Sequence, residues 1–344
     1  MSMIGLRARR VSCAVLAALL LATVACEAWA QGVEARRYRI YAVTFRGKTD
    51  VESGFQDHFA ARGIPVEITW RDIAGDTSRL PGLVEEIRRM KPDLVYTWGT
   101  SVTLGIAGTY DESDPARYIR NVPVLFTLVA APVQARIVPD LRAPGRNVTG
   151  VFHVAPTEIQ ARAMAFYRPF KSVGVLYTPT EQNSVVVVDE LRAVGRKLGF
   201  TVVAQPFKLD GNRNATADGA QALVRGLKER NVDWLYLPPD SFLGRLARKV
   251  IIPAAMEAGL PTFASTEQLM QAGALTGLVS RYYAIGQFTA YKAEQILVRK
   301  VPPAKIPVET LTRFSFQVSM EAARALRLPP PLSMFNYAEL LAPK

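Results

Sequence analysis

Short apolar runs alternate along most of the chain with longer segments whose apolar residues recur at helical spacing. In the first half, the predicted strands cover 37–45, 65–73, 93–100, 121–130 and 147–153. The predicted helices cover 50–63, 78–91, 101–108 and a short segment at 132–138. The strands are continuous apolar runs, as expected when helices cover both faces of a parallel sheet.

The second half repeats the same alternation. Its predicted strands cover 172–178, 200–209, 233–239 and 261–265, and its predicted helices cover 182–199, 215–231, 241–259 and 266–273. These elements are sufficient for a complete second unit. The pattern then predicts a further helix at 282–300, a strand at 308–318 and a helix at 319–328. We therefore expect the chain to cross back between the units, which gives three crossings and a hinge.

These patterns predict an α/β fold of two doubly wound parallel-sheet lobes joined by a hinge. We expect an N-terminal lobe over 31–153, completed by about 282–303, and a C-terminal lobe over 154–281, completed by about 304–344. A chain of 344 residues is long enough for two domains with separate cores.

Residues 1–30 predict a secretory signal peptide. Arg7, Arg9 and Arg10 precede the apolar run 11–26, and Ala28-Trp29-Ala30 offers a cleavage site of small residues. The run is short for a transmembrane helix. The alternative is lipid attachment at Cys26, although Thr23 stands where such sites usually have a large aliphatic residue. Both routes predict an exported protein in the periplasm.

Composition excludes several kinds of chemistry. Both cysteines, Cys13 and Cys26, lie in the leader, so the mature chain would lack thiol nucleophiles, disulfides and cysteine metal ligands. The two histidines, His58 and His153, are far apart in sequence, which disfavours a histidine metal site or a serine–histidine triad. We predict no catalytic residue, no metal and no cofactor. A hydrolase or isomerase on the same two lobes remains an alternative, which turnover of the solute would reveal.

The basic excess does not indicate a nucleic-acid partner. The formal net charge is +12, but the basic residues are scattered over predicted helix faces and form no run of five. They are typical of a solvated surface, and they can also attract anionic solutes or acidic surfaces.

Polar residues follow the carboxyl ends of the predicted strands, where parallel α/β sheets bind ligands. These turns contain Gly99-Thr100-Ser101, residues 127–132, residues 178–184, Pro239-Asp240-Ser241 and Ser265-Thr266-Glu267. Each turn alone is explained equally well as a helix N-cap. As a set they predict a cleft between the lobes, where helix N-termini suit a carboxylate and the acids Glu181, Asp240 and Glu267 suit an ammonium group. The hypothesis is a small zwitterion such as an amino acid. Trp98 and Tyr282-Tyr283 are either core residues or part of this cleft.

Seven segments in order resemble the ABC-transporter substrate-binding proteins of the tryptophan/tyrosine type, over about 38–340. They are GDTSRLPGLVEEIRRMKPDLVYTWGT, PVLFTLVAAPV, PGRNVTGV, VGVLYTPTEQNS, LYLPPDS, PTFASTEQLMQAGAL and LPPPL. The resemblance implies a periplasmic-binding fold of type I that closes on a small solute such as an amino acid. It also implies handover to a membrane permease driven by a cytoplasmic ATPase. We expect no enzymatic activity and a monomer.

The resemblance also implies a set of ligand-binding residues. Carried over by position, they are Gly99, Thr100, Ser101, Thr127, Val129, Glu181, Asn183, Ser184, Asp240, Ser241, Ser265 and Glu267. The chain departs from the family pattern at Ala131, where aspartate is common, at Thr178, where asparagine is common, and at Thr266, where serine is common. If the missing aspartate holds a ligand amine in relatives, this chain prefers a different or less cationic solute. The alternative function is a ligand-sensing partner of a membrane receptor kinase.

Overall fold

A computed structural model describes residues 36–112 and 114–342. The predicted leader, with Cys13 and Cys26, lies outside the described residues. From Tyr38 onward the chain forms one compact unit that contains two β-sheets. Within the described ranges, no helix is both long enough and apolar enough to cross a membrane.

The first sheet has five parallel strands in the order β2-β1-β3-β4-β5. The strands are β1 (Tyr38–Thr44), β2 (Val66–Asp72), β3 (Leu94–Trp98), β4 (Val124–Val129) and β5 (Val148–Phe152). The helices between them are α1 (Asp50–Ala61), α2 (Leu80–Met90) and α3 (Gly99–Ala107). Every residue of β3 and β4 is buried, because helices cover both faces of the sheet.

The second sheet has seven strands in the order β12-β11-β10-β9-β8-β6-β7. The strands are β6 (Ser172–Tyr177), β7 (Thr201–Pro206), β8 (Trp234–Leu237), β9 (Thr262–Ala264), β10 (Thr276–Val279), β11 (Ser315–Ser319) and β12 (Glu339–Leu341). The helices around it are α4 (Thr157–Tyr167), α5 (Gln182–Leu198), α6 (Ala220–Glu229), α7 (Ser241–Leu246), α8 (Ile252–Glu257), α9 (Glu267–Gln271) and α11 (Met320–Ala325). A π-helical segment, Ala247–Ile251, joins α7 to α8. All strand pairs are parallel except β10 with β11, which are antiparallel.

The helix α10 (Tyr282–Leu297) packs on the first sheet, although in sequence it follows β9 and β10, which belong to the second sheet. Buried side chains of α10 and the residues Ile306 and Val308 belong to the hydrophobic core of the first lobe. The chain then returns to the second sheet as β11 and β12. It therefore passes between the lobes three times: after β5, before α10 and before β11.

The backbones of α1 and α10 approach each other closely where two glycines face the opposite helix. A Cβ atom at Gly54 would lie 2.1 Å from the Tyr283 carbonyl oxygen, and one at Gly286 would lie 1.9 Å from the Val51 carbonyl oxygen. No side chain fits these positions unless the helices move apart. The two glycines therefore set the distance at which the returning helix seats on the first lobe.

The structure differs from the sequence-based prediction in several elements. Residues 132–138, predicted as helical, form only turns and bends. The helix α4 and the strands β10 and β12 were not predicted, and β12 is only three residues long. The strand β11 is antiparallel to its neighbour, where the alternating pattern predicts parallel pairing, because the chain enters it from the first lobe instead of from a helix of the second lobe.

We predict that Gly286→Ala lowers the free energy of unfolding by about 2 kcal/mol or more, because the added methyl group meets backbone atoms that cannot rotate away. Urea unfolding monitored by circular dichroism measures this change. The matched control is Gly82→Ala in α2, where an added Cβ meets nothing within 4 Å. The control gains up to about 1 kcal/mol from helix propensity. Equal effects of the two substitutions would contradict the close approach.

Candidate functional site

A small cavity of about 40 Å³ lies between the carboxyl ends of the strands of both sheets. On the first-lobe side it is lined by Arg46, Trp98, Gly99, Thr100, Leu128, Ala130 and His153. On the second-lobe side it is lined by Glu181, Asn183, Pro238, Pro239, Asp240, Ser241, Thr266, Gln268 and Leu269, and Tyr282 at the start of α10 completes it. This central cavity has room for little more than one or two water molecules, so a larger solute requires its walls to separate.

A larger crevice of about 860 Å³ opens beside the central cavity and shares Glu181 and Ser241 with it. Ser101, Phe242 and Arg245 also line this crevice. Its volume lies in the range of small-molecule binding sites. The two shared residues therefore stand at the boundary between the central cavity and the larger crevice.

The turn after β3 brings two of its three predicted residues to the central cavity. Gly99 has a φ of +80°, which lets the chain turn directly from the strand into α3. Gly99 and Thr100 line the central cavity, and Ser101 lines the larger crevice. The Gly99 carbonyl accepts a hydrogen bond from the Thr103 hydroxyl at 2.7 Å, which fixes the first turn of the helix.

Thr127 and Val129 do not line the cavity, because both lie within β4 and are buried. The register between β4 and β5 shifts between Phe126 and Val129, and Leu128 has a φ of +52°. This irregularity turns Leu128 and Ala130 toward the cavity instead. Thr127 is fully buried with its hydroxyl 3.1 Å from that of Thr289 on α10, so it joins the returning helix to the sheet.

Ala131 also lies outside the lining of the central cavity. It lines a separate crevice of about 590 Å³, together with Val187 and Glu190 of α5. An aspartate at this position would therefore face that crevice. The departure at Ala131 therefore removes no side chain from the lining of the central cavity.

The turn after β6 supplies Glu181 and Asn183. The Glu181 carboxylate accepts hydrogen bonds from the Ser241 backbone N–H at 2.9 Å, from the Ser241 hydroxyl at 2.8 Å and from the Asn183 amide at 3.0 Å. The Asn183 amide nitrogen also donates to the Pro239 carbonyl at 2.6 Å. These bonds hold the turns after β6 and β8 together along the second-lobe wall of the cavity.

Asp240 and Ser184 lie behind this wall and bond mainly to each other and to the backbone. Asp240 accepts hydrogen bonds from the Thr178 backbone N–H and hydroxyl at 2.7 and 3.1 Å, and from the Ser184 hydroxyl at 2.5 Å. It also caps α7 by accepting from the Leu243 N–H at 2.8 Å. Asp240 borders the cavity, but its four acceptor positions are already used. For Asp240 the structure supports the N-cap interpretation of the turn, whereas Ser184 lies within α5 and caps no helix.

The turn after β9 brings Thr266 to the cavity, while Ser265 and Glu267 do not line it. Ser265 is fully buried. The Glu267 carboxylate accepts a hydrogen bond from the Tyr282 backbone N–H at 2.6 Å and lies 3.6 Å from the Arg281 guanidinium. Burial raises the pKa of Glu267 above its ordinary value. Glu267 therefore holds the start of α10, where the chain passes to the first lobe, against the second lobe.

Burial raises the pKa of Glu181 from 4.5 to about 7, and the neighbouring Asp240 carboxylate adds to this effect. Placing a second negative charge beside Asp240 in a poorly solvated site is unfavourable, so Glu181 holds its proton up to neutral pH. The hydrogen bonds from Ser241 and Asn183 oppose this shift but do not cancel it.

Three residues of the first-lobe side were either missed or left open by the sequence analysis. The Arg46 guanidinium lies 4.8 Å from the centre of the Trp98 ring, in a cation–π contact. Burial lowers the pKa of His153 to about 3, so this histidine is neutral at pH 7. Its ring packs against Tyr282 with the centres 6.1 Å apart. Arg46 and His153 follow the carboxyl ends of β1 and β5, so the strand-end criterion applied to all five strands would have found them.

Several buried polar atoms of the central cavity are unused. Among the residues that the structure describes, Trp98 Nε1, His153 Nδ1 and Asn183 Oδ1 have no hydrogen-bond partner. All three side chains are more than nine-tenths buried and line the cavity. Buried polar groups are normally hydrogen-bonded, so unused donors and acceptors around one cavity indicate a site that a ligand completes.

We predict that the stability difference between the wild-type protein and Glu181→Gln depends on pH. Between about pH 4.5 and 7, native Glu181 holds a proton that the unfolded chain has lost, so its contribution to stability is present below pH 4.5 and decreases as pH rises through about 7. Urea unfolding across this range should show the wild type losing on the order of 1 to 3 kcal/mol relative to the variant. If the free energies of unfolding of the two proteins change with pH in parallel, the raised pKa of Glu181 is contradicted.

Comparison with known proteins relates this site to solute binders. Residues 42–339 match the family model described as "ABC transporter substrate binding protein". The chain is similar to a curated "Tyrosine-binding protein" of Clostridioides difficile, with 24% identity over 276 residues that cover 80% of this chain and 73% of the relative.

The fold is similar to that of solved structures. A conserved domain protein from Vibrio cholerae has a TM-score of 0.78 at 22% identity, covering 90% of this chain and 100% of that chain. A domain from Streptococcus pneumoniae in complex with L-Trp has a TM-score of 0.76 at 22% identity, with the same coverage. A ligand-free, open substrate-binding protein from Clostridium difficile has a TM-score of 0.67 at 22% identity, covering 89% of this chain and 100% of that chain.

Proposed function

The chain belongs to the family of ABC transporter substrate-binding proteins, and from this premise we propose that it captures an amino acid or a related small carboxylate between its lobes. It then delivers the solute to a membrane permease that a cytoplasmic ATPase drives. The observation that carries this proposal is the central cavity, whose walls come from both lobes and contain the unused atoms Trp98 Nε1, His153 Nδ1 and Asn183 Oδ1.

The proposal includes a change in the distance between the lobes. The central cavity, at about 40 Å³, is smaller than an amino acid, so the solute enters while the lobes are apart and they close over it. The three passages of the chain between the lobes, after β5, before α10 and before β11, would then act as the hinge. The open, ligand-free form described for the Clostridium difficile protein is in keeping with this motion.

The relatives support an amino acid as the solute. One is called a tyrosine-binding protein and another was solved with L-Trp. Trp98 and Tyr282 give the cavity of this chain two aromatic walls, which suit a flat apolar side chain. The family is one of substrate-binding proteins, so turnover of the solute is not part of the proposal.

The site of action and the partners follow from the same proposal. We propose that the leader directs the chain to the periplasm, with cleavage after Ala30 or, less in keeping with the sequence around Thr23, lipid attachment at Cys26. The protein would then act as a monomer that binds free solute in the periplasm and carries it to the permease.

A thermal-shift screen of the purified protein against the amino acids and small aromatic carboxylates tests the solute class. A solute at about 100 times its Kd stabilises the native state by about 2.7 kcal/mol, which appears as an upward shift of Tm. The proposal expects at least one member of the panel to give such a shift and to be recovered chemically unchanged. Absence of a shift with every member would overturn the proposed solute class.

A pair of tryptophan substitutions tests the site. We predict that Trp98→Phe weakens binding of the solute by about 1 kcal/mol, because it removes an indole N–H that the ligand would accept, while the free protein loses no hydrogen bond. Trp234→Phe is the matched control, since Trp234 is also fully buried with an unused Nε1 but belongs to the core of the second lobe. Calorimetry measures affinity and urea unfolding measures stability. Equal losses of affinity in both variants would contradict the role of Trp98.

A further inference from the structure

The two walls of the central cavity differ in the hydrogen-bonding groups that they leave unused. On the first-lobe wall the unused atoms are Trp98 Nε1, whose N–H is a donor, and His153 Nδ1, and the Arg46 guanidinium stands over the Trp98 ring. On the second-lobe wall the unused group is Asn183 Oδ1. This atom is an oxygen, since the other amide atom of Asn183 donates to the Pro239 carbonyl. The first-lobe wall therefore offers an N–H donor beside a cation, and the second-lobe wall offers an amide oxygen that can only accept.

Arg46 is the cation of this cavity. Within the described part of the chain, its guanidinium has no carboxylate within ion-pair distance, while it lies against Trp98 and close to Tyr282. A half-buried arginine that lines a cavity without an acidic partner is suited to a carboxylate, which a guanidinium binds through two parallel hydrogen bonds.

Glu181 is the acid of the second-lobe wall that keeps an acceptor position free. Three donors converge on its Oε1 atom, while Oε2 accepts only from the Ser241 N–H. Of the other two acids near the cleft, Asp240 accepts two hydrogen bonds on each oxygen. Glu267 does not line the cavity, and its carboxylate lies beside Arg281. The second carboxylate beside Glu181 makes this wall electronegative, which favours a cation.

We propose that the cleft recognises an aromatic zwitterion with one charged group from each lobe: Arg46 binds the carboxylate, and Glu181 with Asn183 Oδ1 binds the ammonium group. The inference rests on the proposed function and specifies it. A ligand that carries both charges links the lobes directly, so the two contacts form together only when the cleft is closed. A ligand that lacks either charge would leave Arg46 or Glu181 unpaired once the lobes close, which is costly for a charged group removed from water.

Matched ligands test this assignment by isothermal titration calorimetry of the purified protein. The probes are L-tryptophan, 3-indolepropionate and tryptamine, together with L-tyrosine, 3-(4-hydroxyphenyl)propanoate and tyramine. In each series the second compound lacks the ammonium group and the third lacks the carboxylate. We expect at least one of the two amino acids to bind about tenfold to a hundredfold more tightly than either of its analogues.

Two variants assign each charge to its residue. In Arg46→Gln, the amino acid should lose its advantage over the amine that lacks the carboxylate but keep its advantage over the deaminated acid. In Glu181→Gln, the amino acid should lose its advantage over the deaminated acid but keep its advantage over the amine that lacks the carboxylate. The control for Arg46 is Arg245→Gln, which removes a cation from the larger crevice alone. The control for Glu181 is Glu190→Gln, which removes a carboxylate that lines only the separate crevice beside Ala131.

The pH dependence gives an independent readout of the ammonium contact. Because the pKa of Glu181 lies at about 7 in the free protein, an ammonium group binds fully above this pH, and its affinity decreases by up to about tenfold per unit below it. The other charged or titratable groups around the cavity are Arg46, Asp240, His153 and Tyr282. Burial keeps His153 and Tyr282 neutral in this range. Glu181→Gln should remove this decrease, and 3-indolepropionate should not show it.

The outcomes separate this inference from the proposed function. Tight binding of a deaminated acid, or discrimination that survives in both variants, would overturn the assignment of Arg46 and Glu181 and leave the solute-binding function intact. If none of the six probes binds, the proposal that the solute is an aromatic zwitterion is overturned. The proposed function itself would fail only if the wider panel of amino acids and carboxylates also gave no thermal shift.

Discussion

The buried carboxylate of Asp240 organises the second-lobe wall of the cleft. It accepts hydrogen bonds from Thr178, Ser184 and Leu243, which belong to the turn after β6, the first turn of α5 and the first turn of α7. A carboxylate that satisfies donors from three segments fixes their relative positions, and removing it would leave several buried donors unpaired. The neighbouring residues Glu181 and Asn183 are therefore presented to the cavity by a rigid support.

The same carboxylate sets the electrostatics of the site. Half-buried Glu181 lies beside it, and this proximity adds to the effect of desolvation in raising the Glu181 pKa to about 7. The first lobe opposes this acidic wall with Arg46 and with the neutral ring of His153. The polarity of the cavity thus changes from one lobe to the other. A small solute with separated charges experiences this difference most strongly when both walls contact it.

The first lobe depends on a second constraint, which is the close seating of α10 on α1. Gly54 and Gly286 allow carbonyl oxygens of the opposite helix to approach to a distance that any Cβ would prevent. The N-terminal residue of α10, Tyr282, lines the cavity, and its backbone N–H is bound by Glu267 of the second lobe. The position of this helix therefore affects both the core of the first lobe and the geometry of one connection between the lobes.

Most of the fold was predictable from the sequence, because the apolar runs of buried parallel strands and the helical segments between them are local signals. The alternation predicted the two α/β lobes, and the family resemblance recognised in the ordered segments is confirmed by the match over 42–339. The short strands β10 and β12 and the antiparallel direction of β11 were not predicted. Their pairing depends on neighbours far away in sequence, and a strand of three residues carries almost no periodicity of its own.

The candidate site was predictable only in part. The sequence by itself determined the turns in which Gly99, Thr100, Glu181 and Asn183 lie, because turn residues follow strand ends in a regular order. Tertiary structure alone decided which side chains of these turns reach the cavity. The irregular backbone at Leu128 turns Thr127 and Val129 away, and hydrogen bonds between turns engage Asp240 and Ser184. Arg46 and His153 enter the site because the sheet brings the ends of β1 and β5 beside the others. Proximity between residues so distant in sequence arises only from packing.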